Sequence, residues 1–261
     1  MRKVTCIFEK MPKPDSSWFK EWFNTPYYHA LYAHRNEEEA QAFVERLVQA
    51  IDLKSNALVV DIACGKGRHT RTLEQLGMQA MGYDLSPESI EFASRESERL
   101  GLKATFSVHD MRDAYSGPKW KAAFNLFTSF GYFQDRSTDA LVLKHIQAQL
   151  EPGAWFVQDY LNAASVLPSL PVQEVIERGT LEFHCHKFLE DGVIVKDIQV
   201  LEQGLERGKF QERVEVYTAQ ELQSLHEDAG FDVRALWGNY AGDTYLVDSS
   251  PRIILLSQKL S

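Results

Sequence analysis

The stretch "VVDIACGKGRHT", residues 59–70, places an acid, Asp61, four residues before Gly65 and sets a second glycine, Gly67, two positions further on. Two glycines in one turn let backbone approach a ligand where a Cβ would collide. A helix predicted from Arg68 aims its free N–H groups at the same spot. Nineteen residues past Gly65, Asp84 closes a second short apolar run, "QAMGYD". A carboxylate at that place suits hydrogen bonds from the two hydroxyls of a ribose. The chemistry these residues point to is the binding of a nucleoside-containing cofactor.

Three details weigh a dinucleotide against S-adenosylmethionine. A dinucleotide fingerprint asks for a third glycine, and Thr70 stands in its place. Asp61 beside the turn would repel a pyrophosphate, whereas an ammonium or a sulfonium is tolerated there. Finally, "HDMRD" offers Asp110 to accept from an exocyclic adenine amine and Met111 as an apolar neighbour for the ring. A nicotinamide-dependent oxidoreductase accounts for Gly65, Gly67 and Asp84 only.

These residues need elements to position them. "ALVVDIA", "QAMGYD", "KATFSVHD", "AAFNLFTSF" and "AWFVQDYL" read as five short strands, separated by helices over 68–76, from Ser86 to about Leu100, and over 138–150. That alternation indicates βαβ units and a parallel sheet. Residues 172–217 break the rhythm with period-two alternation and turn signals at Glu190-Asp191-Gly192 and from Glu202 to Gly208, so antiparallel strands are expected there. Thr218 with Glu221 forms a capping box, with Gly230 ending its helix, and "FDVRALWG" and "PRIILLSQK" are expected to close the sheet as a hairpin. Upstream, "SWFKEWFNTPYYHALYAHR" reads as short aromatic helices broken near Pro26, and Asn36 with Glu39 as the cap of a further helix.

"VVDIACGKGRHTRTLEQLGMQAMGYDLSPESIEFA" resembles the first half of a class I S-adenosylmethionine-dependent methyltransferase. The D-x-x-C-G-x-G turn is similar to that family's first motif, "GYDLS" to its second, "HDMRD" to its third and "FNLFTSFGYF" to its fourth. "TSFGYF" and "DYLN" resemble bacterial small-molecule methyltransferases. The resemblance implies an α/β fold: a Rossmann-like seven-stranded sheet with helices on both faces, an N-terminal helical lid and an inserted antiparallel β-sheet. The expected division is an arm and lid over 1–56, a cofactor-binding core over 57–171, the insert over 172–217 and a closing helix and hairpin over 218–261.

Carried onto this chain, the resemblance implies that Asp61, Ala63, Gly65 and Gly67 line the methionine end of S-adenosylmethionine. Asp84 would hold the ribose and Leu85 cover one face of adenine. Asp110 and Met111 would bind the adenine edge and ring, and Thr128, Ser129 and Phe130 lie near the sulfonium. Asn125 departs from the family, whose fourth strand often carries Asp there. The implied reaction moves a methyl group to N or O of a small-molecule acceptor and releases S-adenosylhomocysteine. Methyl transfer to RNA or protein, or a non-catalytic cofactor-binding module, shares the same cofactor half.

Other side chains could serve the acceptor. Tyr132, Asp159 and Asn162 fall at the strand ends where an acceptor should sit, and Tyr132 and Asp159 are the candidates to orient or deprotonate it. Tyr27, Tyr28 and Tyr32 could form a lid in which an aromatic face, that of Tyr28 foremost, attracts the sulfonium, or could be core or dimer contacts. Arg35 could pair with the cofactor carboxylate or with the acidic run from Glu37 to Glu39. His69, opening the helix after the turn, reads as a backbone partner. Arg213, Tyr217 and Arg252 could read an anionic acceptor or form plain surface pairs. His184 and His186 in "HCH" share a strand face, but no further ligand follows at a metal-binding spacing, so no metal is expected.

Composition narrows the classes. The 261 residues are 44% hydrophobic and 25% charged, which is enough apolar material for a sizeable core. A net charge of −9 argues against sequence-independent nucleic-acid binding. No run of about 18 apolar residues offers a membrane span. Cys6, Cys64 and Cys185 are an odd, scattered set, which fits reduced thiols and a cytoplasmic protein. A homodimer through the inserted sheet is the one protein partner expected.

Overall fold

The computed structural model describes residues 11, 17–33 and 37–260. Arg35, Asn36 and Cys6 lie outside them. In chain order the elements are α1 (Trp18–Trp22), α2 (Pro26–Leu31), α3 (Glu37–Ala50), β1 (Leu58–Ile62), α4 (Arg68–Gln75), β2 (Gln79–Asp84), α5 (Pro87–Arg99), β3 (Thr105–Val108), β4 (Trp120–Asn125), α6 (Arg136–Gln149), β5 (Leu150–Leu161) and α7 (Ala163–Val166). They continue with β6 (Val172–Arg178), β7 (Leu181–Glu190), β8 (Val193–Glu202), β9 (Leu205–Glu215), α8 (Ala219–Asp228), β10 (Phe231–Trp237) and β11 (Arg252–Lys259).

One sheet has seven strands in the order β10-β11-β5-β4-β1-β2-β3. β1 pairs in parallel with both β2 and β4, and β11 runs antiparallel to β5 and β10. The chain steps outward from β1 to β3 and then returns to the other side of β1, so strand order reverses between β1 and β4. Ligands of open α/β sheets bind at such a reversal, beyond the carboxyl ends of the strands.

The strands are apolar on both faces because helices cover both. Val60 and Ile62 of β1, Ala123 of β4, Phe156 of β5 and Ile253 and Leu255 of β11 pack with α6 and α8. The alternate residues Val59, Ala122, Phe124, Val157, Ile254 and Leu256 pack with Phe43, Val44 and Leu47 of α3 and Leu73 of α4. The capping box of Thr218 and Glu221 opens α8, and Gly230 follows its last turn at a φ of +91°.

The second sheet is an antiparallel ladder, β6-β7-β8-β9, filling the span between β5 and α8. Its turns fall at Asp191-Gly192, as the sequence suggests, at Gln203-Gly204, near the start of the broader stretch expected, and at Gly179-Thr180, which the sequence reading does not mark. One face carries Phe183, Cys185, Ile198 and Val200, which pack against Trp18, Phe19, Trp22 and Leu31 of α1 and α2. Pro26 opens α2 at its first turn, with Thr25 as the cap. Trp22 Nε1 donates to Glu212 Oε1 at 2.7 Å and the Tyr32 hydroxyl donates to the same carboxylate, which ties the aromatic helices to β9.

His226 in α8 is fully buried, with Nδ1 2.8 Å from Ser257 Oγ and Nε2 2.9 Å from Gln158 Oε1. Burial lowers its pKa from 6.5 to about 3. The unfolded chain therefore takes up this proton at a higher pH than the native protein does. The resulting stability is complete above pH 6.5 and is lost as pH falls toward 3. His226→Gln should lie below wild type in urea midpoint at neutral pH, and that gap should narrow as the pH is lowered through this window. A gap independent of pH would mean that the imidazole is not held neutral.

Candidate active site

β1 ends in a turn in which Ala63, Gly65 and Gly67 take positive φ, at +59°, +54° and +74°. A Cβ on Gly65 would meet no protein atom within 4 Å, so the backbone there borders open space. Gly67 is different. A Cβ on it would lie 2.5 Å from the Phe106 ring and 2.9 Å from Ala93 Cβ, so this glycine lets α4 seat against its neighbours.

Asp84 faces that turn. Gly65 N–H donates to its Oδ2 at 2.8 Å and Ser86 N–H donates to its Oδ1 at 2.8 Å. Burial raises its pKa, and these backbone hydrogen bonds pull it back. Each oxygen keeps acceptor capacity for a further donor. Asp61 stands behind the turn, 1% exposed, accepting from Thr70 Oγ1 at 2.8 Å. Burial pushes its pKa up to about 7; the Thr70 hydrogen bond opposes this and the Asp84 charge adds to it.

A cavity of about 660 Å³ opens at these strand ends. Of the residues expected at the cofactor or acceptor, Ala63, Gly65, Asp84, Leu85, Asp110, Met111, Thr128, Ser129, Tyr28 and Tyr132 line it. Asp61, Gly67, Phe130 and Asp159 are not among its lining residues. Phe130 is 1% exposed and packs edge-on to Tyr160. Asp110 receives a bidentate pair from Arg112, Nε to Oδ1 at 2.9 Å and Nη2 to Oδ2 at 2.6 Å, which holds its carboxyl below the usual range.

The loop after β4 is the most constrained part of the wall. Phe127 and Thr128 have φ of +62° and +60°, unfavourable for non-glycine residues. Such strain persists only when neighbours over-determine it. Phe127 N–H donates to Asp159 Oδ2 at 2.9 Å, and Thr128 N–H to the Asp159 carbonyl at 3.0 Å. Arg252 bridges the two, with Nε donating to Asp159 Oδ1 at 2.7 Å and Nη2 to Thr128 Oγ1 at 2.7 Å. Tyr240 donates a further bond to Asp159 Oδ2 at 3.2 Å. Asp159 is 0% exposed, so it bears on the cavity through Phe127, Thr128 and Arg252, which line it. The Tyr132 hydroxyl donates to the Thr128 carbonyl.

Other candidates are placed away from the cavity. Asn162 caps α7 and donates to the carbonyls of Val247 and Ser250. Arg213 is paired with Glu190 at 3.0 Å, and Tyr217 donates to Asp139 at 2.7 Å. His184 and His186 lie on the sheet face opposite Cys185 and Lys187, with His184 buried and 3.2 Å from Glu182. Among the described residues no three His, Cys, Asp or Glu side chains are grouped to hold a metal ion. Tyr27 packs on Phe210, whereas Tyr32 and His69 line the cavity, His69 stacked on Phe127 at 5.2 Å.

Among the lining residues that the sequence does not assign to the site are His29 of α2, Lys187, Lys196 and Glu212. Burial and the Lys66 charge lower His29 to about 4, and its Nε2 has no partner among the described residues. Both effects favour the neutral imidazole at pH 7. The period-two pattern of 172–217 could have put the lysines and Glu212 on one face, had the strand register been known.

The cradle therefore fits S-adenosylmethionine: open space over Gly65, a buried carboxylate with spare acceptor capacity at Asp84, and apolar Leu85 and Met111 beside it. A model of the methyltransferase domain matches residues 32–236. Among curated relatives, a dTDP-3-amino-3,6-dideoxy-alpha-D-glucopyranose N,N-dimethyltransferase from Streptomyces fradiae is 24% identical over 216 residues, 80% of this chain and 81% of that protein. Among solved structures, a S-adenosylmethionine-dependent methyltransferase from Clostridium acetobutylicum ATCC 824 aligns with a TM-score of 0.78 at 16% identity, over 90% of this chain and 96% of that one. An amino pentose methyltransferase from Micromonospora echinaspora, solved with S-adenosylmethionine bound, aligns with a TM-score of 0.69 at 17% identity, over 90% and 97% of the two chains. With more than half its length matched and this cradle in place, the chain belongs to the methyltransferase domain family and is an S-adenosylmethionine-dependent methyltransferase.

Proposed function

We propose that the acceptor is a small molecule bearing a nitrogen or oxygen nucleophile, bound between the loop after β4 and the inserted sheet. The observation that carries this reading is the cavity itself. It runs from Gly65 and Asp84 to Lys187, Lys196 and Glu212 and is walled by Tyr28 and Tyr32 of the aromatic segment. The relatives' substrates, an aminosugar in one and an amino pentose in another, point the same way.

When bound, S-adenosylmethionine supplies a methyl carbon on a sulfonium. The chain's own part is to hold and orient. Asp84 accepts from the ribose hydroxyls, Leu85 and Met111 flank the adenine, and Asp110 meets its edge with the capacity Arg112 leaves. Ala63 and Gly65 border the methionine end, with Asp61 and Gly67 shaping the turn from behind. Thr128 and Ser129 lie by the sulfonium on a loop backed by Phe130, and the Tyr28 and Tyr32 rings offer faces that attract a cation. Tyr132 orients the acceptor. Asp159 is a positioning residue that acts through Thr128 and Arg252.

An amine acceptor is favoured over an alcohol. Both groups expected as a base are engaged, Tyr132 with the Thr128 carbonyl and Asp159 with Arg252. Positioning alone suffices for a neutral amine, whereas an alcohol needs deprotonation. A homodimer through the inserted sheet would rest on β6, an outermost strand that pairs only with β7 among the described residues.

Incubating the protein with methyl-labelled S-adenosylmethionine and a cytosolic extract tests the proposal directly. Label is expected in the small-molecule fraction. Label confined to RNA or protein, or no transfer while S-adenosylhomocysteine still binds tightly, would overturn it.

A further inference from the structure

Lys187 of β7 and Lys196 of β8 are directly opposite each other in the ladder and both line the cavity. Like charges in that relation repel and destabilise a sheet. Lys196 is 8% exposed, and its ammonium sits 3.5 Å from the Tyr32 hydroxyl and 5.2 Å from the centre of that ring. The carboxylate beside it, Glu212, is opposite Lys196 in the ladder and already accepts from Trp22 and Tyr32. Glu174, on the outer strand β6, is exposed. Lys187 makes no ion pair within 4 Å among the described residues. Two cations thus face two carboxylates, Glu212, which neutral donors already engage, and the exposed Glu174, with which Lys187 makes no ion pair. An ion-sized anion between the lysines would balance them.

We propose that Lys187 and Lys196 bind an anionic group of the acceptor, a carboxylate or a phosphate, where the inserted sheet lines the cavity. The acceptor is then a small amine that also carries negative charge, held by its anion on the inserted sheet while its nitrogen faces the loop after β4. This deepens the proposed small-molecule reading and rests on it. Burial first, and then the neighbouring Lys196 charge, lower the Lys187 pKa, with Glu212 and Glu174 opposing them.

The test uses the full chain saturated with S-adenosylhomocysteine, with inorganic phosphate and acetate as probes against potassium chloride of equal ionic strength. One of the two anions should raise the melting temperature beyond the chloride control, phosphate if the acceptor is phosphorylated and acetate if it is a carboxylic acid. Lys187→Met and Lys196→Met should each weaken that anion at least tenfold, and Lys187→Arg should keep it. Cofactor-free Lys187→Met should also melt at or above the wild-type temperature, because a repulsion has been removed; a merely structural lysine would give the reverse. Equal stabilisation by chloride, or undiminished anion binding in the methionine variants, would overturn the site. A tenfold loss of S-adenosylhomocysteine affinity in Lys187→Met would also overturn it, by assigning the lysine to the cofactor carboxylate. The anion arm needs no turnover, so it fails or holds independently of the methyl-labelling experiment.

Discussion

Asp84→Ala should lose S-adenosylhomocysteine binding by roughly a hundredfold, about 3 kcal/mol, while the protein still folds. The carboxylate is held at a fixed place by the Gly65 and Ser86 amides, each 2.8 Å away, and that leaves acceptor capacity for two ribose hydroxyls. Hydrogen bonds to a charged acceptor exceed those to a neutral one, and removing the acceptor leaves the ribose donors unpaired in a water-poor site. The two amides lose their acceptor as well, so the turn should loosen and the melting temperature should fall modestly. Asp84→Asn retains an oxygen for one amide and serves as the milder variant. Titration calorimetry with S-adenosylhomocysteine reads the effect. An affinity within twofold of wild type would remove Asp84 from the ribose.

The second large effect is on stability. Arg252→Met should cost about 3–5 kcal/mol in urea denaturation, because it strands the Asp159 carboxylate, which is 0% exposed. Only the Phe127 amide and the Tyr240 hydroxyl would remain on that charge. The double variant Arg252→Met with Asp159→Asn should recover more than half of the loss, since the neutral amide no longer needs a counter-ion. The single variant should also relax Thr128, whose hydroxyl loses its guanidinium donor and whose φ of +60° loses part of its support. A cost under about 1 kcal/mol would show that the pair behaves like an exposed one.

The difference between what the sequence reveals and what it hides is one of distance along the chain. Gly65, Asp84 and Met111 lie at strand ends, and alternation of short strands with helices suffices to bring them to one edge. The hairpin of β10 and β11 and the antiparallel nature of residues 172–217 are equally legible from local period. Asp61 and Asp159 look like pocket carboxylates in the sequence because both end apolar strands. Their burial behind the wall depends on Thr70 and Arg252, partners that strand periodicity cannot assign. Arg213 stands out as a cation of the insert, yet a one-residue step along β9 separates it from Glu212 on the cavity face. Lys187 and Lys196 enter the cavity through a register that only three-dimensional pairing fixes. His29 is hidden for a related reason: within an aromatic run it reads as packing, and only the placement of α2 gives its ring a free nitrogen.

The tie between Trp22 and Glu212 spans 190 residues. During synthesis the aromatic helices emerge before β9, and at typical elongation speeds roughly 10–40 s separate the two. Trp18, Phe19 and Trp22, each under a tenth exposed in the finished protein, lack the complete sheet that covers them for that interval. A nascent chain stopped before β9 would leave part of this apolar face uncovered and invite chaperone capture or aggregation. The acceptor chamber is thus a late product of translation, closed only when the two distant parts of the polypeptide meet.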